Sequence, residues 1–535
     1  MQFQSYAYGK NHYELDPDLK VLLRHYWPEY TQHERALAQF GEFAGGRAYE
    51  VAYHIDHDAR PVLIMHDLDG RRVDRVRLAP AHEEVLKQLV PINRPPYEGG
   101  SWHHHYALGF LLADPGLYCE LTITNSTLYV IHKYAPGQAQ WKEKLLRGEA
   151  WGATWMTEVQ GGSDLGANTT HARQDGDGWR LQGEKYFCSG CGLADIAIVT
   201  AHPEGAPPGP KGIALFLVPR LNRNGELNYF VRRLKDKSAT RAVTSGEVEF
   251  HDTEAYLVGE QAQGIYYTLE SLLVSRLANA AAAMGIARKA HLEAWYRTQR
   301  RQAFGKTINQ HPLVRRDLTD LAVRMAGGLA LTFHAVELFN RAWHDSPPYS
   351  NAYHYARFLA HLAKNRTAEH ASAVTQLAME LFGGIGFLEE FAVARWHREA
   401  LITPIWEGTS NIQALDMLES ITRKRAHQGF LEEFIPYLRK IDTPEAHSAR
   451  EAISKTLAHL AQINADEAQW YAKHALTRLA DAAQVALLYR LAETGGERYA
   501  KLAQLYARRF LFMEEYPAWA MQDAEIWAFT ADEYL

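Results

Sequence analysis

Glu407 stands between Trp406 and Gly408 in the stretch Ile405-Trp406-Glu407-Gly408-Thr409-Ser410-Asn411, just ahead of a pattern that reads as helix. A carboxylate placed there can be held against an apolar wall. Loss of hydration then raises its pKa toward neutrality, where a general base works. The same triplet also describes a solvated loop, so its meaning depends on the rest of the chain. Two other groups have the residue types for chemistry. Cys188-Ser189-Gly190-Cys191 has the spacing of a redox pair, but such a pair needs a helix N-terminus behind it to lower the thiolate pKa. Here strand-like runs flank it, at residues 179–187 and 196–200. Only Cys119 remains besides, so a four-cysteine zinc site cannot be completed. His103-His104-His105 is a poor metal cluster, because consecutive side chains point in different directions on a helix or a strand. No metal is expected.

The elements that must position Glu407 are numerous. At 535 residues the chain exceeds one ordinary core, and two to four domains are expected. Hydrophobic content of 47%, charged content of 22% and a formal charge of −6 are those of a globular protein with no general electrostatic call for nucleic acid or anionic membrane. Three cysteines argue against a disulfide framework. The start, Met1-Gln-Phe-Gln-Ser-Tyr, has neither the basic residues nor the apolar run of a secretory signal, and no uninterrupted apolar run approaches a membrane span. A cytoplasmic location is the expectation.

Residues 1–152 read as a mainly helical domain, with apolar residues three and four apart at 81–89 and 108–112. A short hairpin is expected within it, with strands at 51–54 and 61–66 and the polar stretch 56–60 as its turn. The texture changes at residue 153. Asp175-Gly176-Asp177-Gly178 is a strong turn signal between runs at 168–173 and 179–187, and short strands follow at 196–200, 213–218, 229–234 and 246–250. This predicts a compact β-barrel or sandwich domain over 153–262, without the βαβ alternation of a Rossmann domain. Long helical patterns return at 272–300, 313–343 and 353–381, and a fourth begins near Ile412, predicting a four-helix bundle domain over 263–425. A helical C-terminal extension is expected over 426–535.

Four motifs now become specific together. Met156-Thr157-Glu158-Val159-Gln160-Gly161-Gly162-Ser163-Asp164 opens the β region, and Arg301-Gln302-Ala303-Phe304-Gly305-Lys306 closes the first long bundle helix. With Leu381-Phe382-Gly383-Gly384-Ile385-Gly386-Phe387 and Trp406-Glu407-Gly408-Thr409, they resemble the acyl-CoA dehydrogenase family in order and spacing. Asp164-Leu165-Gly166-Ala167-Asn168-Thr169-Thr170, the segment Asp67 to Asp74 and the tail of about 110 residues look like its AidB-type branch. The resemblance implies an α+β, mainly α fold: helical N-terminal domain, central β-barrel and C-terminal four-helix bundle, with FAD between barrel and bundle and partly at a subunit interface. It implies α,β-dehydrogenation of an acyl-CoA, a medium- to long-chain one in this reading. An electron-transfer flavoprotein is the expected oxidant, and a homo-oligomer, tetramer or dimer, the expected state. That branch also contains a protein reported to bind DNA. Residues 430–535 hold 16 acidic against 11 basic side chains, a poor footprint for a duplex that demands clustered cations. Two other readings stay open: a flavin-bearing binding protein with residual catalysis, and a flavin monooxygenase on the same fold.

The resemblance also assigns roles. Glu407 is implied as the base for the α-proton, with flavin N5 accepting the hydride and the Glu407 backbone N–H helping to bind the enolate oxygen. Some relatives carry the base on the first bundle helix, at a position matched here by Ser275, which cannot serve. Met156, Thr157 and Ser163 match a loop meeting the isoalloxazine edge and the thioester region, while Phe187 and Ser189 take the places at the flavin face and N5 edge. Arg301 and Phe304 match residues holding the pyrophosphate and adenine half across a dimer interface. A guanidinium suits the former because it forks two donors toward it. Gly383 and Gly384 fall where backbone must approach the cofactor of a neighbouring subunit, and Thr409 and Asn411 complete the surroundings of its adenosine-diphosphate part. Glu380 sits where the family often has glutamine, and a carboxylate there would repel a pyrophosphate. Arg276 and Gly408, with Ser163, are the expected substrate contacts. Phe187 could instead be an ordinary core residue of the barrel, and Arg301 a surface residue in a basic helix end with Arg297 and Arg300.

Overall fold

The computed structural model describes residues 4–514 and Trp519. Residues 1–3 and the part of the expected extension beyond residue 514, Trp519 apart, lie outside the described residues. The chain packs as two units, each with its own core. One comprises residues up to Tyr49, Gly100–Ala113 and everything from Arg276 onward; the other comprises Glu50–Gly99 and Asp114–Ser275.

In the second of these, the strands Ile196–Pro203, His171–Asp175, Gly178–Cys188, Gly246–Leu257 and Ala214–Pro219 follow one another in the sheet, and the last pairs again with the first. That pairing closes the sheet. Gly152–Trp155 and Phe230–Leu234 attach to it through Ile196–Pro203 and Gly246–Leu257. The predicted turn is present: Asp175 pairs with Gly178 across Gly176, whose φ of +59° suits glycine. Ala153, Trp155, Leu181, Val199, Phe216, Val218, Val248 and Phe250 fill the interior.

The expected early hairpin is displaced. Residues 51–54 lie in a helix, Arg47–His57, because Ala48, Val51, Ala52 and Ile55 recur at three- and four-residue spacing and are all buried. The strand Val62–His66 does form, but its partner is Arg72–Arg77. The turn between them is built by Asp67, whose Oδ1 accepts the N–H groups of Asp69 and Arg71 at 2.9 Å each, with Gly70 at φ +77°. Buried Asp74 then ties this hairpin to the sheet, accepting the Val231 N–H at 2.6 Å.

The first unit is helical. The bundle helices are Gly264–Arg300 (from Arg276 in this unit), Pro312–Ala342, Asn351–Phe382 and Ser410–Thr422, at nearly the predicted places. Pro312–Ala342 is long and apolar enough to cross a membrane, and its most apolar window is 83% buried inside the fold. The extension, Pro444–Gln462, Ala465–Gly495 and Glu497–Phe510, is fused to the bundle in one core rather than hung beside it. Gly327 explains part of the closeness: a Cβ there would meet the Tyr506 ring at 2.5 Å. Buried Arg366 and Asp481 bolt the two parts together, with a nitrogen to oxygen distance of 2.7 Å, and the Tyr506 hydroxyl donates to the same carboxylate at 2.7 Å.

Candidate active site

Helix Ala392–Ala400 ends in a run of turns that carries the chain to Ser410, the first residue of Ser410–Thr422. Glu407 sits in that run with φ +58°, the left-handed region that a residue with a Cβ seldom occupies, and Gly408 follows at φ +95°. Such a conformation persists only where neighbours over-determine it, and here four side chains do so. Arg276 Nε donates to the Glu407 carbonyl at 3.1 Å. Gln413 Nε2 donates to the carbonyls of Glu407 and Gly408 at 2.9 and 3.0 Å. Lys364 Nζ donates to the Gly408 carbonyl at 2.6 Å. Asn279 binds the Thr403 carbonyl at 3.1 Å and accepts the Trp406 indole N–H. These fasteners are themselves anchored: Arg276 pairs with Asp416 at 3.0 Å, and Gln413 meets His361 Nδ1 at 2.9 Å.

The Glu407 carboxyl is what this scaffold presents. Its Oε2 is buried and has no hydrogen-bond partner. Burial pushes its pKa up to about 7, and the cations Arg276 and Lys364 hold it from going further. Lys364 is drawn down to about 7 by its own burial and by Arg276, with Glu407 opposing. A carboxylate poised near neutrality with an unused oxygen can take a proton from a weak carbon acid. Arg276, expected at the substrate, uses its guanidinium on the Glu407 carbonyl and on Asp416. Ser275 Oγ is spent on Ser126 Oγ at 2.8 Å and on the Ser271 carbonyl at 3.3 Å.

Two of the residues expected at a large anionic cofactor, Arg301 and Gly383, meet in the helical unit. Arg301 Nη1 donates to the Phe382 carbonyl at 3.4 Å, and a Cβ on Gly383 would meet that same nitrogen at 2.8 Å. Gly383 (φ +70°) therefore lets the guanidinium lie against bare backbone, and Gly384 has open space around it. Phe304, at the tip of the hairpin Gln302–Ala303 and Lys306–Thr307, is 96% exposed, and Phe387 is 84% exposed. A fork of donors, open glycine backbone and unburied aromatic rings have the chemistry to hold a pyrophosphate and a planar base. Thr409 and Asn411 are exposed at the start of Ser410–Thr422.

In the β unit, Met156 and Thr157 are fixed by their carbonyls, which accept Asn168 Nδ2 at 2.8 Å and the Tyr186 N–H at 2.9 Å. Glu158 underpins the loop from inside, bound to Lys185 Nζ at 2.8 Å and to the Thr169 and Thr170 N–H groups at 2.6 and 3.0 Å. Ser163 is exposed. Phe187 is 53% exposed, so it is not a barrel core residue. Ser189 has its carbonyl held by the Trp155 indole N–H at 2.9 Å and its hydroxyl against Ser245 Oγ at 2.9 Å. The two cysteines are inert: Cys188 and Cys191 are buried, and burial drives both thiol pKa values up. The three histidines diverge, His103 to Glu337 at 3.2 Å, His104 against Trp27 and His105 against Trp102.

Sequence reasoning missed Lys364, Gln413, Asn279 and Asp416. Each lies inside a helix with no motif around it. The one available signal was polarity at positions that helical periodicity turns inward.

The comparisons with known proteins identify the family. The AidB N-terminal domain model matches residues 4–149, the acyl-CoA dehydrogenase middle-domain model 153–253 and the C-terminal-domain model 262–422. The putative acyl-CoA dehydrogenase AidB of Escherichia coli (strain K12) is 32% identical over 400 residues, 70% of this chain and 71% of that protein. Acyl-CoA dehydrogenase family member 11 of Caenorhabditis elegans is 28% identical over 487 residues, 85% of this chain and 78% of that one. In fold, the chain is similar to Caenorhabditis elegans ACDH-11, solved in complex with C11-CoA, with a TM-score of 0.83 at 24% identity over 97% of this chain and 94% of that one. These relatives are oxidoreductases and the family is FAD-dependent. The chain belongs to the acyl-CoA dehydrogenase family, in its AidB-like branch.

Proposed function

We propose that the protein desaturates a medium- to long-chain acyl-CoA between Cα and Cβ, with Glu407 taking the α-proton. The observation that carries this is the Glu407 carboxyl: buried, with Oε2 unpartnered, and raised to about 7. FAD, when bound, supplies the acceptor for the hydride leaving Cβ. The chain's own contribution is placement and charge. Arg276, Gln413, Lys364 and Asn279 hold the turn in its left-handed conformation, so the base does not reorganise when it acts. In this position the Glu407 N–H would donate to the thioester oxygen as charge develops there. Arg301, Phe304, Gly383 and Gly384, with Thr409 and Asn411, are the proposed pyrophosphate and adenine contacts. Met156, Thr157, Ser163, Phe187 and Ser189 are the proposed contacts on the ring side.

The solved relative with a C11-CoA supports the medium to long chain length. The exposed apolar residues Phe304, Leu313 and Phe387 support a homo-oligomer that covers them. Electron-transfer flavoprotein is the proposed oxidant. The test is anaerobic mixing of the purified holoenzyme with saturated acyl-CoAs of graded length while flavin bleaching is followed. Bleaching that peaks at a medium or long chain is expected; if none of them bleaches the flavin, the dehydrogenase reading falls.

A further inference from the structure

Behind Ser189 lies a chain of hydrogen bonds that the reaction as proposed leaves unused. Lys237 Nζ lies 2.9 Å from the Val243 carbonyl and 3.0 Å from Ser245 Oγ, and Ser245 Oγ lies 2.9 Å from Ser189 Oγ. The backbone at both ends is pinned. The Lys235 N–H donates to the Ser245 carbonyl at 2.8 Å, and the Trp155 indole N–H donates to the Ser189 carbonyl at 2.9 Å. Ser245 is 6% exposed, so the direction of its proton is set by these neighbours rather than by bulk water, while Ser189 is half-buried.

Donor counting fixes the first bond and favours one direction for the second. An ammonium has three donors and no acceptor, and a hydroxyl has one donor and two lone pairs. Ser245 Oγ therefore accepts from Lys237, and Ser189 Oγ, 2.9 Å away, is placed to accept its single proton; in the reverse arrangement Ser245 would spend both lone pairs and turn that proton away from Ser189. Ser189 then accepts, and its own proton is left to point outward. Without the lysine, the two hydroxyls could exchange roles and Ser189 could turn its proton inward.

We propose that Lys237, acting through Ser245, locks the Ser189 hydroxyl as an outward hydrogen-bond donor to the flavin. Lys237 and Ser245 are thus positioning residues, and the inference rests on the placement of Ser189 at the flavin N5 edge proposed above. A donor held there draws electron density from the nitrogen that receives the hydride, and being fixed beforehand it costs no reorganisation.

The experiment uses oxidised holoenzyme reconstituted with FAD carrying nitrogen-15 at N5, whose NMR shift reports hydrogen-bond donation to that atom. FAD affinity is measured alongside by fluorescence. Ser189→Ala is expected to move the N5 resonance toward its value without a donor. Lys237→Met and Ser245→Ala should move it the same way by part of that distance, with FAD affinity close to wild type, and Lys237→Arg should restore it. Adding Lys237→Met to Ser189→Ala should produce no further movement. If Lys237→Met does not retain FAD, Ser245→Ala, which deletes one oxygen, carries the test. A wild-type resonance in Lys237→Met and Ser245→Ala, beside a shifted one in Ser189→Ala, overturns the relay and leaves the Ser189 contact standing. An unmoved resonance in Ser189→Ala removes that contact and the relay with it.

Discussion

Replacing Lys364 with methionine should move the pH dependence of flavin reduction to the alkaline side. Lys364 is one of two cations holding down the pKa of Glu407, which burial raises to about 7. The substitution spares the turn, because the Gly408 carbonyl that accepts from Lys364 also accepts from Gln413 at 3.0 Å. For two unit charges roughly 4–8 Å apart at an effective permittivity of about 20, Coulomb's law gives about 2–4 kcal/mol. Lys364 is itself drawn down to about 7, so near neutrality it carries about half of that charge, and its removal is worth about 1.4 kcal/mol, on the order of one pKa unit. In the proposed reaction the reactive form is the carboxylate. At pH 7 its population should fall from about one half to about one tenth, and the rate of flavin reduction by acyl-CoA should fall about fivefold. Above about pH 9 the carboxylate is restored and the rate should approach that of the wild type. Stopped-flow reduction across that pH range, with acyl-CoA binding measured separately, provides the reading. A profile that stays put, or moves toward acid, would refute both the role of Glu407 as base and the electrostatic account of its pKa.

Three further outcomes are expected. Glu407→Gln should bind acyl-CoA with little change while flavin reduction slows by about two to four orders of magnitude, the usual worth of a positioned base; stopped-flow reduction together with titration of acyl-CoA binding reads both. Glu158 is held at about 2, below the ordinary 4.5, because Lys185 and the Thr169 and Thr170 donors outweigh its burial. It contributes about 3 kcal/mol that is fully present above pH 4.5 and lost as pH falls toward 2. Urea unfolding of Glu158→Gln should show that loss at pH 7 and a flatter acid limb. Asp481→Ala leaves the buried Arg366 guanidinium with Glu369, 2.7 Å from its Nη1, in place of the Asp481 carboxylate, and should cost about 3 kcal/mol. Replacing Arg366 with methionine in the same chain should return part of that, and thermal unfolding of the single and double variants checks the coupling.

Much of the fold was legible because local period and turn chemistry agree with the tertiary answer. Apolar residues three and four apart marked the long helices, and Asp175-Gly176-Asp177-Gly178 marked a hairpin that the sheet then adopted. The early hairpin went astray where two signals competed. Val51 and Ile55 suit a strand, but with Ala48 and Ala52 they make a continuous buried helical stripe, and the real turn belonged to Asp67 and Gly70.

By itself the sequence determined the order of the motifs, the family they mark and the carboxylate at residue 407. Those depend on residue types close together in the chain, which is the range over which spacing carries information. Tertiary structure decided how that carboxylate is held. Arg276, Lys364 and Gln413 come from separate helices and converge on two consecutive carbonyls. It also decided that Phe187 is open rather than core, and that Lys237 reaches Ser189 through Ser245. Glu407 needs neighbours to stay in a left-handed backbone conformation and to keep its proton affinity near neutrality. Those neighbours are brought to it by packing over separations of up to 131 residues, a range that no local pattern encodes.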